Sequence, residues 1–275
     1  MHTDSMFVIG NDHLKAGLPC QDYAISGVDL NGAAYAIVSD GCSSGRRTDM
    51  GARITATTME HALRANVGSQ TWLHQRTCML ASWKATGSDF TDLYATCVYA
   101  FCSAEERYVH VRGDGGVAWT YPDGRIQMAS FDWGNPGENN PPYYPAYSLG
   151  NLDLEAFKLH YAATAAEAVN AVHYEVTDEG PMLLEAACYS LEEGIEGIRL
   201  PIPDEAVAVA VFTDGIMRVP GLQWHEVVQQ LLAFKSAKGQ FVKRRMLRFL
   251  AERTTPSTRP ADDLAYAVIN LEGGS

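Results

Sequence analysis

The sequence predicts an α+β layered fold, with antiparallel β-sheets carrying helices on their outer faces. Three observations lead there. Short apolar, β-branched runs cluster together, helical stretches come in pairs between those clusters, and no internal repeat is present. With 275 residues, 47% hydrophobic and 20% charged, the chain is long enough to bury a substantial core. One domain over residues 1–275 is expected.

Ala33–Asp40 (AAYAIVSD) reads as a buried strand stopped by Asp40 and Gly41. From about Thr48 to Val67, Met50, Ile54, Thr57, His61 and Ala65 fall at helical spacing, with Ser44 or Thr48 as N-cap. His61 reads there as a structural residue. A second helix is expected over about Gln70 to Lys84, with Trp72, Cys78 or Met79 and Trp83 on its buried face. Leu93–Cys102, Arg107–Gly113, Gly116–Tyr121 and Arg125–Ala129 form an antiparallel meander, the last pair joined by a turn at Pro122, Asp123 and Gly124. Residues 130–150, rich in proline, glycine and tyrosine, predict an irregular surface loop bordering a groove. Over 155–200 the signals are weak: strands around Phe157–Tyr161 and Ala171–Val176, and a short helix near Pro181–Leu191. Ala206–Phe212 is the strongest strand. Two helices follow, about Gln223–Ser236 and Gly239–Arg253, and Asp262 and Asp263 open a last strand, Leu264–Asn270.

Composition narrows the function. No stretch approaches the roughly 20 apolar residues of a membrane span, and Met1–Gly10 lacks the pattern of a secretory signal, so a soluble cytoplasmic protein without a membrane partner is expected. The cysteines show no CxxC pair and several lie in apolar runs, which favours reduced thiols. A net charge of −12 disfavours nucleic acid as a partner and suits a cation-loaded site.

Three strand-like runs end in Asp-Gly, at Asp40, Asp114 and Asp214. Each is singly compatible with a hairpin turn, and Asp123-Gly124 reads as only that. Together they offer rigid carboxylates whose glycines permit close approach. Oxygen donors suit Mg²⁺ or Mn²⁺, and neither an HExxH nor a paired Cys/His pattern points to zinc. Two such ions about 4 Å apart activate water and neutralise a transferring phosphoryl group without a protein nucleophile.

The ordered motifs GLPCQDYA, AIVSDGCSSG, TDMGAR, YATCVYAF, VHVRGDGGVAW, AVFTDGIM and PADDLAYAVI resemble the PPM or PP2C-type protein serine/threonine phosphatases, in particular the compact bacterial members. The resemblance implies a four-layer αββα sandwich of two antiparallel sheets flanked by helical pairs. It implies that Asp40 bridges two Mg²⁺ or Mn²⁺ ions, with the Gly41 carbonyl, Asp22, Asp214 and Asp262 as further ligands and Asp114 at a weaker third cation. It also implies hydrolysis of phosphoserine or phosphothreonine by a water bridging the two ions, with a phosphorylated protein and a cognate serine/threonine kinase system as partners.

The sequence departs from that pattern at three places. Gly17 stands where the family often has a phosphate-gripping arginine, Cys42 where some relatives have a histidine, and Arg218 where some have a third-metal carboxylate. Lys15, His13, Arg46 and Arg218 are the candidate phosphate contacts, and Asp263 reads as a supporting carboxylate. The alternative reading, motivated by Gly17 and Cys42, is a non-catalytic module that keeps the fold and binds a signalling partner.

Overall fold

A computed structural model describes residues 1–66, 68–134, 141–150, 155, 157–158, 168–255 and 257–272. Twelve strands and six helices are described: β1 His2–Val8, α1 Asn11–Ala16, β2 Asp22–Val28, β3 Ala34–Asp40, α2 Thr48–Arg64, α3 Thr71–Thr86, β4 Cys97–Cys102, β5 Arg107–Arg112, β6 Gly115–Thr120, β7 Ile126–Trp133, β8 Val169–Thr177, β9 Gly180–Tyr189, α4 Leu191–Glu196, β10 Ile198–Pro201, β11 Ala208–Phe212, α5 Trp224–Leu232, α6 Phe241–Ala251 and β12 Leu264–Asn270. The strands form two antiparallel sheets, ordered β1-β12-β11-β6-β7-β8-β9 and β10-β5-β4-β3-β2.

Side-chain alternation explains why the central strands are apolar throughout. In β11 and β12, Val209, Val211, Ala265, Ala267 and Ile269 point into the core between the sheets. Their neighbours Ala210, Phe212, Leu264, Tyr266 and Val268 meet α5 and α6 through Val227, Leu231, Phe241, Met246 and Phe249. In β3, Ala34, Ala36 and Val38 face the inter-sheet core, whereas Tyr35 and Ile37 meet Ala56, Met59 and Leu63 of α2. A strand covered on both faces has no solvent side to make polar, so its sequence loses the period of two. The result is the expected layering, with helices outside two antiparallel sheets.

Several boundaries differ from the sequence reading, each for a tertiary reason. Most of the stretch near Pro181–Leu191, expected as a short helix, belongs to β9 because it zips onto β8; pairing outweighs intrinsic preference. Ser130–Trp133, read as loop, extend β7 by pairing with Val169–Val172, and Pro145–Gly150 form a 3₁₀ turn. The irregular loop expected over 130–150 is otherwise partly outside the described residues, as is most of the strand expected around Phe157–Tyr161, where Phe157 and Lys158 are helical. Thr48 is the first residue of α2, not its cap; Arg47 precedes it without a capping bond, and the Thr48 hydroxyl donates to the Cys42 carbonyl at 2.9 Å. Asp123-Gly124 is the turn expected, with Gly124 N–H donating to Tyr121 at 3.0 Å. No helix among the described residues is long and apolar enough to cross a membrane.

Candidate functional site

Antiparallel pairing brings the aspartates to one end of the sheets. Asp22 opens β2 and Asp40 closes β3, and the two are direct partners in the ladder. Asp214 follows β11 and Asp262 precedes β12, strands that pair Phe212 with Tyr266. Asp114 lies where the chain crosses from β5 in one sheet to β6 in the other. That crossing is tight: Gly113 and Gly115 have φ of 102° and 127°, and a Cβ on Gly115 would stand 2.5 Å from the Phe212 carbonyl oxygen. Side chains larger than hydrogen are excluded there by both conformation and space.

Asp40, Gly41, Asp114, Asp214 and Asp262 line one cleft of about 380 Å³, together with His13, Gln21, Cys42, Ser43 and Ser44. Asp22, opposite Asp40 in the ladder, is 3% exposed and does not line the cleft itself. The Thr213 hydroxyl donates to Asp22 Oδ2 at 2.6 Å and receives the Ala265 N–H at 2.9 Å, so one side chain ties the two sheets together. At Gly41 a Cβ would stand 2.5 Å from the Thr48 carbonyl oxygen and 2.9 Å from that of Gln21, so only glycine brings the backbone past this point.

Like charges dominate the electrostatics. Burial, then repulsion from Asp22, Asp214 and Asp114, holds the Asp40 carboxyl well above the usual aspartate range. Asp22 is raised by burial and by Asp214 and Asp263, against the hydrogen bond from Thr213. Asp114 is raised by burial and by Asp214 and Asp132; Asp214 is raised by burial and by Asp262, with Arg218 pulling the other way. Asp114 Oδ1 is buried without a hydrogen-bond partner. An all-oxygen donor set with mutually repelling carboxylates and an unpaired oxygen fits hard divalent cations such as Mg²⁺ or Mn²⁺.

A second carboxylate organises the cleft wall. Asp263, 3% exposed, accepts Gly10 N–H at 2.6 Å, Gln21 N–H at 2.5 Å and the His13 Nδ1 contact at 2.8 Å. It joins the start of β12 to α1 and to the residue before Asp22. Asp263→Ala is expected to lower unfolding free energy by about 3 kcal/mol, because buried donors lose a charged acceptor; a urea-unfolding loss below about 1 kcal/mol contradicts that role.

The remaining candidates separate. His13 lines the cleft. Lys15 is 64% exposed and bonds Asp12 at 3.2 Å, and neither it nor Arg46 lines the cleft. Arg218 is exposed just after the Asp214–Met217 turn, close enough for its charge to act on Asp214. Asp132 on β7, which no Asp-Gly marks in the sequence, has a charge that reaches both Asp114 and Asp214. Tyr94, Pro141, Pro142, Tyr144 and Tyr147 wall the cleft, with Tyr94 stacked on Tyr144 at 5.5 Å between centroids.

A family model described as protein phosphatase 2C matches residues 9–139, a segment that holds Asp22, Asp40, Gly41 and Asp114 and stops before Asp214 and Asp262. Solved structures agree in fold over the whole chain. A bacterial serine phosphatase superposes with a TM-score of 0.56 at 11% identity, covering 100% of this chain and 99% of that one. The serine/threonine phosphatase of S. agalactiae gives 0.54 at 13% identity, covering 98% and 99%, and Stp1 from Staphylococcus aureus, also a serine/threonine phosphatase, gives 0.54 at 12%, covering 99% and 96%. No curated protein matches in sequence.

Proposed function

We propose, from a chain similar to protein phosphatase 2C in sequence over residues 9–139 and in fold throughout, that residues 1–275 form one metal-dependent phosphatase domain hydrolysing phosphoserine and phosphothreonine in proteins. The observation that carries the reading is the convergence of Asp40, Asp114, Asp214 and Asp262 on one cleft, with Asp22 opposite Asp40 in the ladder. Asp22, Asp40, Asp214, Asp262 and the Gly41 carbonyl would hold two Mg²⁺ or Mn²⁺ ions, with Asp114 and Asp132 near a weaker third. Bound ions would supply Lewis-acid activation of water and neutralisation of phosphoryl charge.

The chain's own groups do the positioning. Thr213 fixes the Asp22 carboxylate, and Asp263 fixes the His13 ring through Nδ1, leaving Nε2 as the ring nitrogen able to serve the cleft. His13 would contact the phosphate or protonate the leaving serine or threonine oxygen. No Lys or Arg is among the described residues lining the cleft. Phosphate recognition therefore falls to the cation site, His13 and the hydroxyls of Ser43 and Ser44, while the Tyr and Pro wall receives the flanking peptide.

The test is hydrolysis of phosphoserine and phosphothreonine peptides, with p-nitrophenyl phosphate and small metabolite phosphoesters alongside, across a titration of Mn²⁺ and Mg²⁺. Turnover is expected only with metal, is removed by chelation, and favours the phosphopeptides. Metal-independent turnover defeats the mechanism; preference for the small phosphoesters defeats the substrate class. Absence of turnover at every metal concentration, with tight binding of a phosphoprotein, supports the non-catalytic module instead.

A further inference from the structure

Outside the aspartate cleft, the hairpin of α2 and α3 gathers a different set of ligands. His61 lies in the last turn of α2. His74 and Cys78 sit four residues apart in the first half of α3, a spacing that puts both side chains on one helix face. Ligand atoms from the three residues all lie within 4.8 Å of one another, with His61 exposed and the other two half-buried. The two imidazole rings stand 5.2 Å apart between centroids at 31°. Cys78 is a free thiol.

Ring packing alone accounts for the closeness of the two imidazoles but leaves one buried polar atom without a partner. His74 Nε2 is buried and has no hydrogen-bond partner. Leaving a buried imidazole nitrogen unpaired is unfavourable, and a coordinate bond to a metal would satisfy it. The neighbouring donors are the right kind: two nitrogens and a sulfur suit a borderline-soft ion, whereas Mg²⁺ and Mn²⁺ prefer oxygen.

We propose that His61, His74 and Cys78 form a zinc-binding site with three protein ligands, the fourth tetrahedral position being left to water at the exposed His61 side. Zinc bonds of about 2.0–2.3 Å place ligand atoms roughly 3.5 Å apart, so side-chain rotation of about an ångström closes the set. Cys78 binds as thiolate, releasing its proton on metal binding. The ion staples the end of α2 to the first half of α3, and its ligand chemistry keeps it distinct from the all-oxygen cleft. In the sequence the relevant signal was a His-x3-Cys on a helix, which no search for CxxC or HExxH detects.

Co²⁺ substitution tests this on the intact, metal-stripped protein, because a thiolate ligand to Co²⁺ gives a near-ultraviolet charge-transfer band and tetrahedral geometry gives strong visible bands. One equivalent of Co²⁺ should produce both, and Zn²⁺ should displace it. Cys78→Ser should abolish the charge-transfer band, whereas Cys42→Ser, which alters the thiol in the aspartate cleft, and Asp40→Asn should retain it. His61→Gln, at an exposed position, should weaken Zn²⁺ binding in a chromophoric-chelator competition by at least the ~10-fold that loss of a mere supporting partner causes. Absence of the band in the parent protein, its persistence in Cys78→Ser, or its loss in Cys42→Ser overturns the site. If His74→Gln fails to fold, the Cys78 and His61 variants still decide.

Discussion

Asp40→Asn is expected to reduce phosphopeptide hydrolysis by at least about 10²–10³-fold in kcat/KM while raising the melting temperature of the metal-free protein. The two effects share one cause. Asp40 faces Asp22, Asp214 and Asp114, and burial followed by their repulsion pushes its carboxyl well above the ordinary range. An amide keeps the size of the side chain and its place at the end of β3, opposite Asp22, so packing is preserved. It removes a negative charge from a group of like charges, which stabilises the metal-free cleft, and it removes an anionic donor from the proposed cation site. Kinetics with Mn²⁺ and a thermal melt in chelator check the pair. Activity near that of the parent, or a metal-free variant that melts lower, removes Asp40 from the centre of the site.

The second large effect is a reversal of pH dependence by metal. For Asp22, Asp40, Asp114 and Asp214 the folded-state pKa is raised above the ordinary 3.8. Between that value and the raised one, the folded protein binds more protons than the unfolded chain, so unfolding free energy falls as pH rises. Their contribution to stability is fully present below the ordinary aspartate pKa and is lost as pH climbs through the folded values. The metal-free protein should therefore melt at a lower temperature at pH 8 than at pH 5. A bound cation favours the ionised carboxylates and adds about 2.7 kcal/mol at 100-fold excess over Kd, with its largest effect at pH 8, where protons do not compete. Scanning calorimetry at both pH values, with chelator and with Mn²⁺, reads this directly, and Asp40→Asn should flatten the metal-free slope. A melting temperature indifferent to Mn²⁺ at pH 8, or a slope unchanged by Asp40→Asn, contradicts the account.

Much of the fold was legible because its signals are local. AAYAIVSD and AVAVAVF announced buried strands by short apolar runs, each beginning one or two residues before the observed β3 and β11, and β12 lies over the expected Leu264–Asn270. The helix starting near Thr48 was visible from spacing at Met50, Ile54 and Thr57. β9 was not legible: its leucines and alanines prefer helix, and only pairing with β8 makes them a strand. β1 was missed because HTDSMFV is polar at one end, and its strand character comes from its ladder to β12. In the site, the Asp-Gly pairs exposed Asp40, Asp114 and Asp214, but nothing local marked Asp132 or showed that His13, rather than Lys15, reaches the cleft.

The amino-acid sequence by itself determined the antiparallel layered class and the run of aspartates at strand ends, whose oxygens motivate the proposed cation site, because periodicity and side-chain chemistry are properties of neighbouring residues. Only the tertiary structure decided which groups share a space. The ladders β2–β3 and β11–β12 carry Asp22, Asp40, Asp214 and Asp262 to one end, and the sheet-to-sheet crossing adds Asp114. The three contacts of Asp263 swing His13 into the cleft, and the α2–α3 hairpin sets His61 beside His74 and Cys78. Distances between segments far apart in the chain depend on register and packing, which local spacing does not encode.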